Sequence, residues 1–329
     1  MTKNFLKGDD LPRFLEILAG YGELHGPVRS DDGVITFRPL CGPADLLLDY
    51  HRTLIPPKKY LLPPRETILA YAPESGYRQP GTPAPKIVLL GVHPCDLAGI
   101  AYLDRVFLGN EPDPLYDARR SALTLIGLSC EPDDSCFCGD RGVSSAGDLF
   151  AERTGGGLSL TSMSRRGSEI LEKLSPFLAE KEPPSSAQRA CSVLTEITLA
   201  AARQETFRQS PLWDDFAARC LSCGACSLCC PTCYCFDVLE CGALDGKTAT
   251  RLREWDNCLF RAHGEVAGGH NFRKDRRERF RYRYRHKYLG FGPTRGEVAC
   301  VGCGRCREVC PAGIDLLELF TGGCHETGN

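Results

Sequence analysis

Two cysteine runs constrain this chain more than anything else in it. The first is Cys220-Leu-Ser-Cys223-Gly-Ala-Cys226-Ser-Leu-Cys229-Cys230-Pro231, and the second is Cys300-Val-Gly-Cys303-Gly-Arg-Cys306-Arg-Glu-Val-Cys310-Pro311. Both read C-x2-C-x2-C-x3-C-P, a spacing that nests a 4Fe-4S cluster and, when it occurs twice, exchanges the fourth thiolate between the runs. The expected ligand sets are therefore Cys220, Cys223, Cys226 and Cys310 for one cluster and Cys300, Cys303, Cys306 and Cys230 for the other. Two-residue gaps let a tight loop aim three sulfurs inward while its amides face the cluster sulfides. Gly224, Gly302 and Gly304 suit such a loop, because glycine tolerates positive φ and close backbone approach. The proline stops the loop and fixes the chain direction after the fourth ligand. A single run is also compatible with a zinc ribbon. Two complete runs, each closed by Cys-Pro, favour iron and sulfide. Cys229 competes with Cys230 for the fourth place, and the Cys-Pro junction favours Cys230.

The chain has 329 residues, enough for two domains with real cores. Its twenty cysteines gather into metal-type spacings rather than a disulfide framework. A net charge of -2 gives no global signal for nucleic acid. Charges run through the first twenty residues, where a signal core would be apolar. No stretch approaches the roughly 18 apolar residues of a membrane helix. The expectation is a soluble protein of a reducing compartment, most simply the cytoplasm.

Residues 1–185 are expected to form an α/β domain whose sheet contains parallel strands. Asp9 to Ala19 has a start signal, helical apolar spacing and a closing Gly20. Val34 to Phe37 is expected as a short strand and Ala44 to His51 as a short helix. The proline density from Ile55 to Glu66 indicates a loop wrapping a surface. Lys86 to Val92 is a buried-strand run, and Leu97, Ile100, Ala101, Leu103 and Val106 then recur at helical spacing. Thr124 to Cys130 repeats the apolar strand, so strand, helix and strand imply a parallel pair. Cys95 and Cys130 would lie beyond the carboxyl ends of those strands, where ligands collect in open sheets. With Cys136 and Cys138 they make enough sulfur for a third centre, expected as a 4Fe-4S cluster. Zinc, or two merely buried thiols at Cys95 and Cys130, are the alternatives. His93 and Asp96 are candidate supporting groups. Asp148 to Ser162 reads as a strand pair around Gly155-Gly156-Gly157, and Ser168 to Leu174 as a helix.

Residues 186–329 are expected to form a mainly α-helical, ferredoxin-like dicluster domain with an inserted hairpin and a basic segment. A helix over Ser186 to Thr206, with Cys191 on its apolar face, joins the halves. Phe216 to Arg219 ends a helix leading into the first run. Asp245-Gly246 between two strand-like runs signals the hairpin. Ile314 to Phe320 is a helix after the last ligand. The basic segment, Arg273 to Tyr288, interleaves arginines with aromatics. It has three readings: a single-strand nucleic-acid binder, a helix with a solvated basic side, or cations that stabilise anionic clusters and raise their potential. Nucleic acid is the least favoured, since the chain as a whole carries net negative charge. No G-x-G-x-x-G loop, P-loop or C-x-x-C-H haem site occurs.

Lys59-Tyr-Leu-Leu-Pro-Pro-Arg-Glu66, Gly91-Val-His-Pro-Cys-Asp96, Cys136-Phe-Cys138, Pro231-Thr-Cys-Tyr-Cys235, Trp255-Asp-Asn-Cys258 and the two cysteine runs together resemble one family. It is that of the iron–sulfur β subunits of sulfhydrogenases and the related A subunits of anaerobic sulfite reductases. Similar subunits occur in flavin oxidoreductase assemblies that feed heterodisulfide-reductase-type enzymes. The resemblance implies a cytoplasmic electron relay, without chemistry of its own, between a flavin- and NAD(P)-binding partner and a catalytic redox subunit. It also adds weight to the Cys95, Cys130, Cys136, Cys138 centre. The competing functions are a flavin- or cluster-dependent reductase active by itself, with Gly91 to Pro94 as its weak phosphate turn, and a zinc-stabilised nucleic-acid module.

Overall fold

The computed structural model describes residues 4–79, 83–138, 147–180, 211–244, 246–315 and 318. The chain divides into two compact units, one of residues 1–61, 82–134 and 141–190, the other of residues 62–81, 135–140 and 191–329. Two segments of this division fall across a cut at 185/186. Residues 62–79 belong with the C-terminal half because Arg65–Ala72 pairs with its hairpin, and residues 135–138 because Phe137 hydrogen-bonds to its second cysteine run. The expected helix at 186–206 lies outside the described residues, as does most of that at 314–320. Among the described residues, no helix is long and apolar enough to cross a membrane.

The first unit is built on a mixed eight-stranded sheet in the order β10-β1-β9-β8-β7-β6-β2-β3. These strands are β1 (Asn4–Lys7), β2 (Glu23–Arg29), β3 (Ile35–Pro39), β6 (Ile87–Val92), β7 (Leu123–Leu128), β8 (Leu149–Thr154), β9 (Gly157–Ser162) and β10 (Leu178–Glu180). The pairs β2–β6, β6–β7 and β7–β8 are parallel, and the outer pairs antiparallel. Strands β6 and β7 read as unbroken apolar runs because both faces are covered. On one face Ile126 and Leu128 meet Phe14, Leu15 and Leu18 of helix α1 (Leu11–Ala19) and Ile170 and Leu174 of helix α4 (Arg165–Leu174). On the other, helix α2 (Pro94–Phe107) approaches so closely that a Cβ on Gly127 would lie 2.9 Å from Leu97 Cδ1. Helix α3 (Pro114–Ala122) is capped by Asp113, whose carboxylate accepts the Leu115 and Tyr116 amides.

The apolar run at Ala44 to His51 is not an α-helix. A short 3-10 turn spans Pro43–Asp45, and the Leu47 amide then donates to the Pro27 carbonyl of β2 at 2.9 Å, taking the donor a helix would need. The proline-rich stretch is not a surface loop throughout. Its 3-10 turn Pro57–Tyr60 buries Pro57 and Lys58, and Leu61 and Leu62 are buried beside it.

The second unit joins β4 (Arg65–Ala72) and β5 (Gly76–Arg78) to the hairpin β11 (Phe236–Gly242) and β12 (Ala249–Trp255), in the order β11-β12-β4-β5. Its described helices are α5 (Leu212–Arg219), the single turns α6 (Ala225–Leu228) and α8 (Arg305–Glu308), and α7 (Arg276–Leu289). Among the described residues it is therefore a mixed unit rather than a mainly helical one. The strand that pairs with the hairpin, β4, comes from a segment some 180 residues earlier in the chain, and no local pattern announces that pairing.

Candidate metal centres

Helix α5 ends at the first run, where the Cys220 amide bonds to the Phe216 carbonyl at 2.8 Å. The loop beyond turns through Ser222 at φ 52 and Gly224 at φ 80, and Gly224 starts the single turn α6. The second run repeats this backbone with Gly302 at φ 71 and Gly304 at φ 76 before α8. In both loops the left-handed residues turn the chain back on itself between thiols. Amides point at sulfur, from Ser222 to Cys220 Sγ and from Ile314 to Cys310 Sγ, each at 3.4 Å.

Two thiol-lined cavities result. Cys220, Cys223, Cys226 and Cys310 line the first, with Cys306 behind them and Phe280, Tyr284 and Ile314 as apolar wall. Cys230, Cys300, Cys303 and Cys306 line the second, with Phe137, Tyr288, Arg283 and Lys287. The first cavity gathers three thiols of the first run and two of the second, and the second cavity three of the second run and one of the first. Cys229 lines neither: it is buried, and its thiol donates to the Cys226 carbonyl at 3.7 Å. Burial pushes the Cys226 thiol up to about 11 and the Cys229 thiol up to about 12. A buried thiolate is costly without a cation beside it, and iron supplies that cation, so the donor sets fit clusters. Among the described residues, no three His, Cys, Asp or Glu side chains converge on a point suited to a single metal ion.

Helix α7 explains the basic segment. Asp275 caps it, accepting the Arg277 and Glu278 amides. At a spacing of four, Phe280, Tyr284 and Tyr288 form one buried stripe and Arg279, Arg283 and Lys287 another. The aromatic stripe packs on Trp213 and Phe216 of α5, with Phe280 and Phe216 stacked at 5.9 Å. The cationic stripe borders the thiols: Lys287 donates to Thr232 Oγ1 at 2.7 Å, and Arg283 to the Cys226 carbonyl at 2.7 Å. Arg276 reaches the Cys220 carbonyl at 3.0 Å. Of the aromatics that base stacking would need, Phe280, Tyr284 and Tyr288 are buried and Tyr282 is half-buried.

The family of 4Fe-4S dicluster domains matches residues 219–314, the stretch that holds both cavities. Over 330 aligned positions the chain is 37% identical to sulfhydrogenase 2 subunit beta of Pyrococcus furiosus, covering 96% of each chain. It belongs to the sulfhydrogenase β-subunit family. No solved structure matches it. As a sulfhydrogenase β-type chain with a dicluster domain it is an iron–sulfur, electron-transfer subunit of the oxidoreductase-complex kind, and the domain implies two 4Fe-4S clusters.

In this sulfhydrogenase β-family chain the remaining four expected ligands fall in two places. Cys95 sits in the first turn of α2 and Cys130 just past β7, at the ends of neighbouring parallel strands of the first unit. Cys136 and Cys138 belong to the second unit, where the Phe137 amide between them donates to the Gly302 carbonyl at 2.8 Å. A Cβ on Gly302 would lie 2.8 Å from the Phe137 carbonyl carbon, so that position must stay glycine. Arg307 adds a bond to the Ser135 carbonyl at 2.9 Å. His93 is the N-cap residue of α2, and its ring stacks on Tyr50 at 4.0 Å. Gly91, at φ 89, marks a bulge in β6, and its carbonyl accepts the Tyr50 hydroxyl, which accounts for the Gly91–Pro94 turn without a phosphate.

Two features of the sulfhydrogenase β-type site were not legible as functional in the sequence. Asn257 is fully buried and clamps the first loop, donating to the Gly224 carbonyl at 2.8 Å and accepting from Ser227 Oγ at 3.1 Å. Its one sequence signal is its place in Trp255-Asp-Asn-Cys258. Cys233, Cys235 and Cys258 gather beside Arg283, with Cys235 and Cys258 hydrogen-bonded to each other and Arg283 Nη1 3.3 Å from Cys233 Sγ.

Proposed function

We propose that this chain relays electrons between a flavin- and NAD(P)-binding partner and a catalytic redox subunit of a cytoplasmic oxidoreductase complex. The observation that carries the reading is the pair of thiol-lined cavities, each fed by both cysteine runs. The proposed ligands are Cys220, Cys223, Cys226 and Cys310 in the first cavity and Cys300, Cys303, Cys306 and Cys230 in the second. When bound, the clusters accept and release single electrons. The chain's own part is to hold eight thiolates in place, to exclude water with Phe280, Tyr284 and Tyr288, and to offset the charge with Arg283 and Lys287. The relative is by name a β subunit of a sulfhydrogenase, which supports assembly with other subunits. A chain this rich in free thiols fits a reducing compartment. Cys95, Cys130, Cys136 and Cys138 are proposed as the ligands of a third 4Fe-4S cluster, on the strength of their spacing in the sequence.

Iron and acid-labile sulfide per chain, on anaerobically purified protein, test the reading together with EPR of the reduced state. About twelve iron atoms are expected for three clusters and about eight for two, and an iron-free chain holding zinc sinks the relay. Crossed ligation has its own test. Cys230→Ala should lose the second cluster and Cys310→Ala the first, each loosening both loops. Full iron in both variants contradicts it.

A further inference from the structure

We propose that Arg283 is a cation shared by the two clusters, holding both reduction potentials up and easing the passage of an electron from one to the other; this rests on the dicluster reading above. Arg283 is 2% exposed at the middle of α7. It lines the second cavity, and its Nη2 donates at 2.7 Å to the carbonyl of Cys226, whose residue lines the first. Its Nη1 reaches Ser227 Oγ and lies 3.3 Å from Cys233 Sγ. No carboxylate pairs with it among the described residues, and its buried Nε has no hydrogen-bond partner there.

A guanidinium stays protonated in a buried site, where a lysine keeps its proton only beside an anion. A buried charge of this kind needs an anion. What surrounds Arg283 is thiol sulfur, the Ser227 hydroxyl and backbone oxygen, at the wall of the second cavity and bonded to a lining residue of the first, so the anions that match it are the thiolate-ligated clusters themselves. A fixed positive charge in a dry site acts on both neighbours at once. It favours the reduced form of each, raising both potentials. It also offsets the repulsion that an electron on one cluster exerts on an electron arriving at the other. Lys287 gives the contrast. It is buried on the same stripe and lines the second cavity as Arg283 does, but it donates to Thr232 Oγ1 where Arg283 donates to the carbonyl of Cys226, a lining residue of the first.

The experiment is an anaerobic redox titration followed by EPR on the whole protein, with iron and sulfide counted in every sample. Arg283→Gln is expected to lower both midpoints at unchanged iron content, and Lys287→Gln to lower only that of the second cluster. Arg283→Lys keeps a charge and is expected to fall between Arg283→Gln and the parent. Unchanged midpoints in Arg283→Gln, or a shift confined to one cluster, overturn the proposal. If Arg283→Gln and Arg283→Met lose their clusters while Arg283→Lys keeps both, the positive charge is what the clusters require, as inferred. Loss in Arg283→Lys as well makes the residue a structural brace and overturns it. A parent protein without two clusters is a separate failure, that of the relay reading.

Discussion

Ser222 stands at φ 52 where the second run has Gly302 at φ 71. A side chain in the left-handed region costs roughly 1–2 kcal/mol, while glycine there costs only its extra freedom in the unfolded chain, roughly 0.5–1 kcal/mol. Ser222→Gly should therefore raise stability by up to about 1 kcal/mol, and β-branched Ser222→Val should lower it by about 1–2 kcal/mol. Urea midpoints of the anaerobic holo-protein read the difference, and equal midpoints for the two variants would refute the strain. A second residue-scale effect concerns His25. Its ring is buried, 2.8 Å from the Tyr60 hydroxyl, and burial holds its pKa below the ordinary 6.5, with Lys59 adding to the fall and Glu23 opposing it. Below pH 6.5 the unfolded chain takes up a proton that the folded one refuses. Its contribution is thus complete above that pH and declines as pH falls through the lowered folded value. His25→Gln should flatten this acid loss in denaturation curves, and an unaltered slope would remove His25 from the account.

Among the elements, the β4–β12 pairing carries the buried ion pair of Arg253 with Glu66, Nη2 to Oε1 at 2.6 Å. Removing one partner strands a charge, so Glu66→Gln or Arg253→Met should cost about 3 kcal/mol, while the double apolar replacement Arg253→Met with Glu66→Leu should be near neutral. A double-mutant cycle by urea denaturation measures this, and additive losses would mean that the pair is not coupled. The same pairing marks where the sequence stopped being readable. β6, α2, β7 and the hairpin were legible because apolar runs, Pro94 and the Gly246 turn are local signals. The addition of β4 to the hairpin was not, because β4 is half-buried along its whole length and shows no clean alternation, and its partner is remote in the chain. The helix expected at Ala44–His51 failed through the remote acceptor at Pro27. At the site, the two cysteine runs that line the cavities stood out by their spacing. The clamp by Asn257 was not, since a lone asparagine carries no period. On α7 the spacing of four was present, but only packing buries the cationic stripe along with the aromatic one.

For the whole molecule, the two units rest on different kinds of support. The first has a continuous apolar core under an eight-stranded sheet, from Leu6 and Phe14 through Val88, Ile126 and Leu149 to Leu174. In the second, the aromatic core of Trp213, Phe216, Phe280, Tyr284 and Tyr288 includes Cys220, and Cys226, Cys300, Cys306 and Cys310 pack against it. The cysteine loops themselves have only the single turns α6 and α8 as regular structure. Metal binding there is then folding free energy, whereas the first unit draws none from those clusters. Anaerobic removal of iron with a chelator should expose amides across 212–230 and 276–310 to hydrogen exchange and leave 87–92 and 123–128 protected. The hairpin with β4 should respond less, because Arg253–Glu66 and the Trp255 indole bond to the Leu62 carbonyl at 3.0 Å hold it without sulfur. Equal loss of protection in both units would mean that the first cannot stand without the clusters. No loss in either would mean that the aromatic core, not the metal, holds α5 and α7 together.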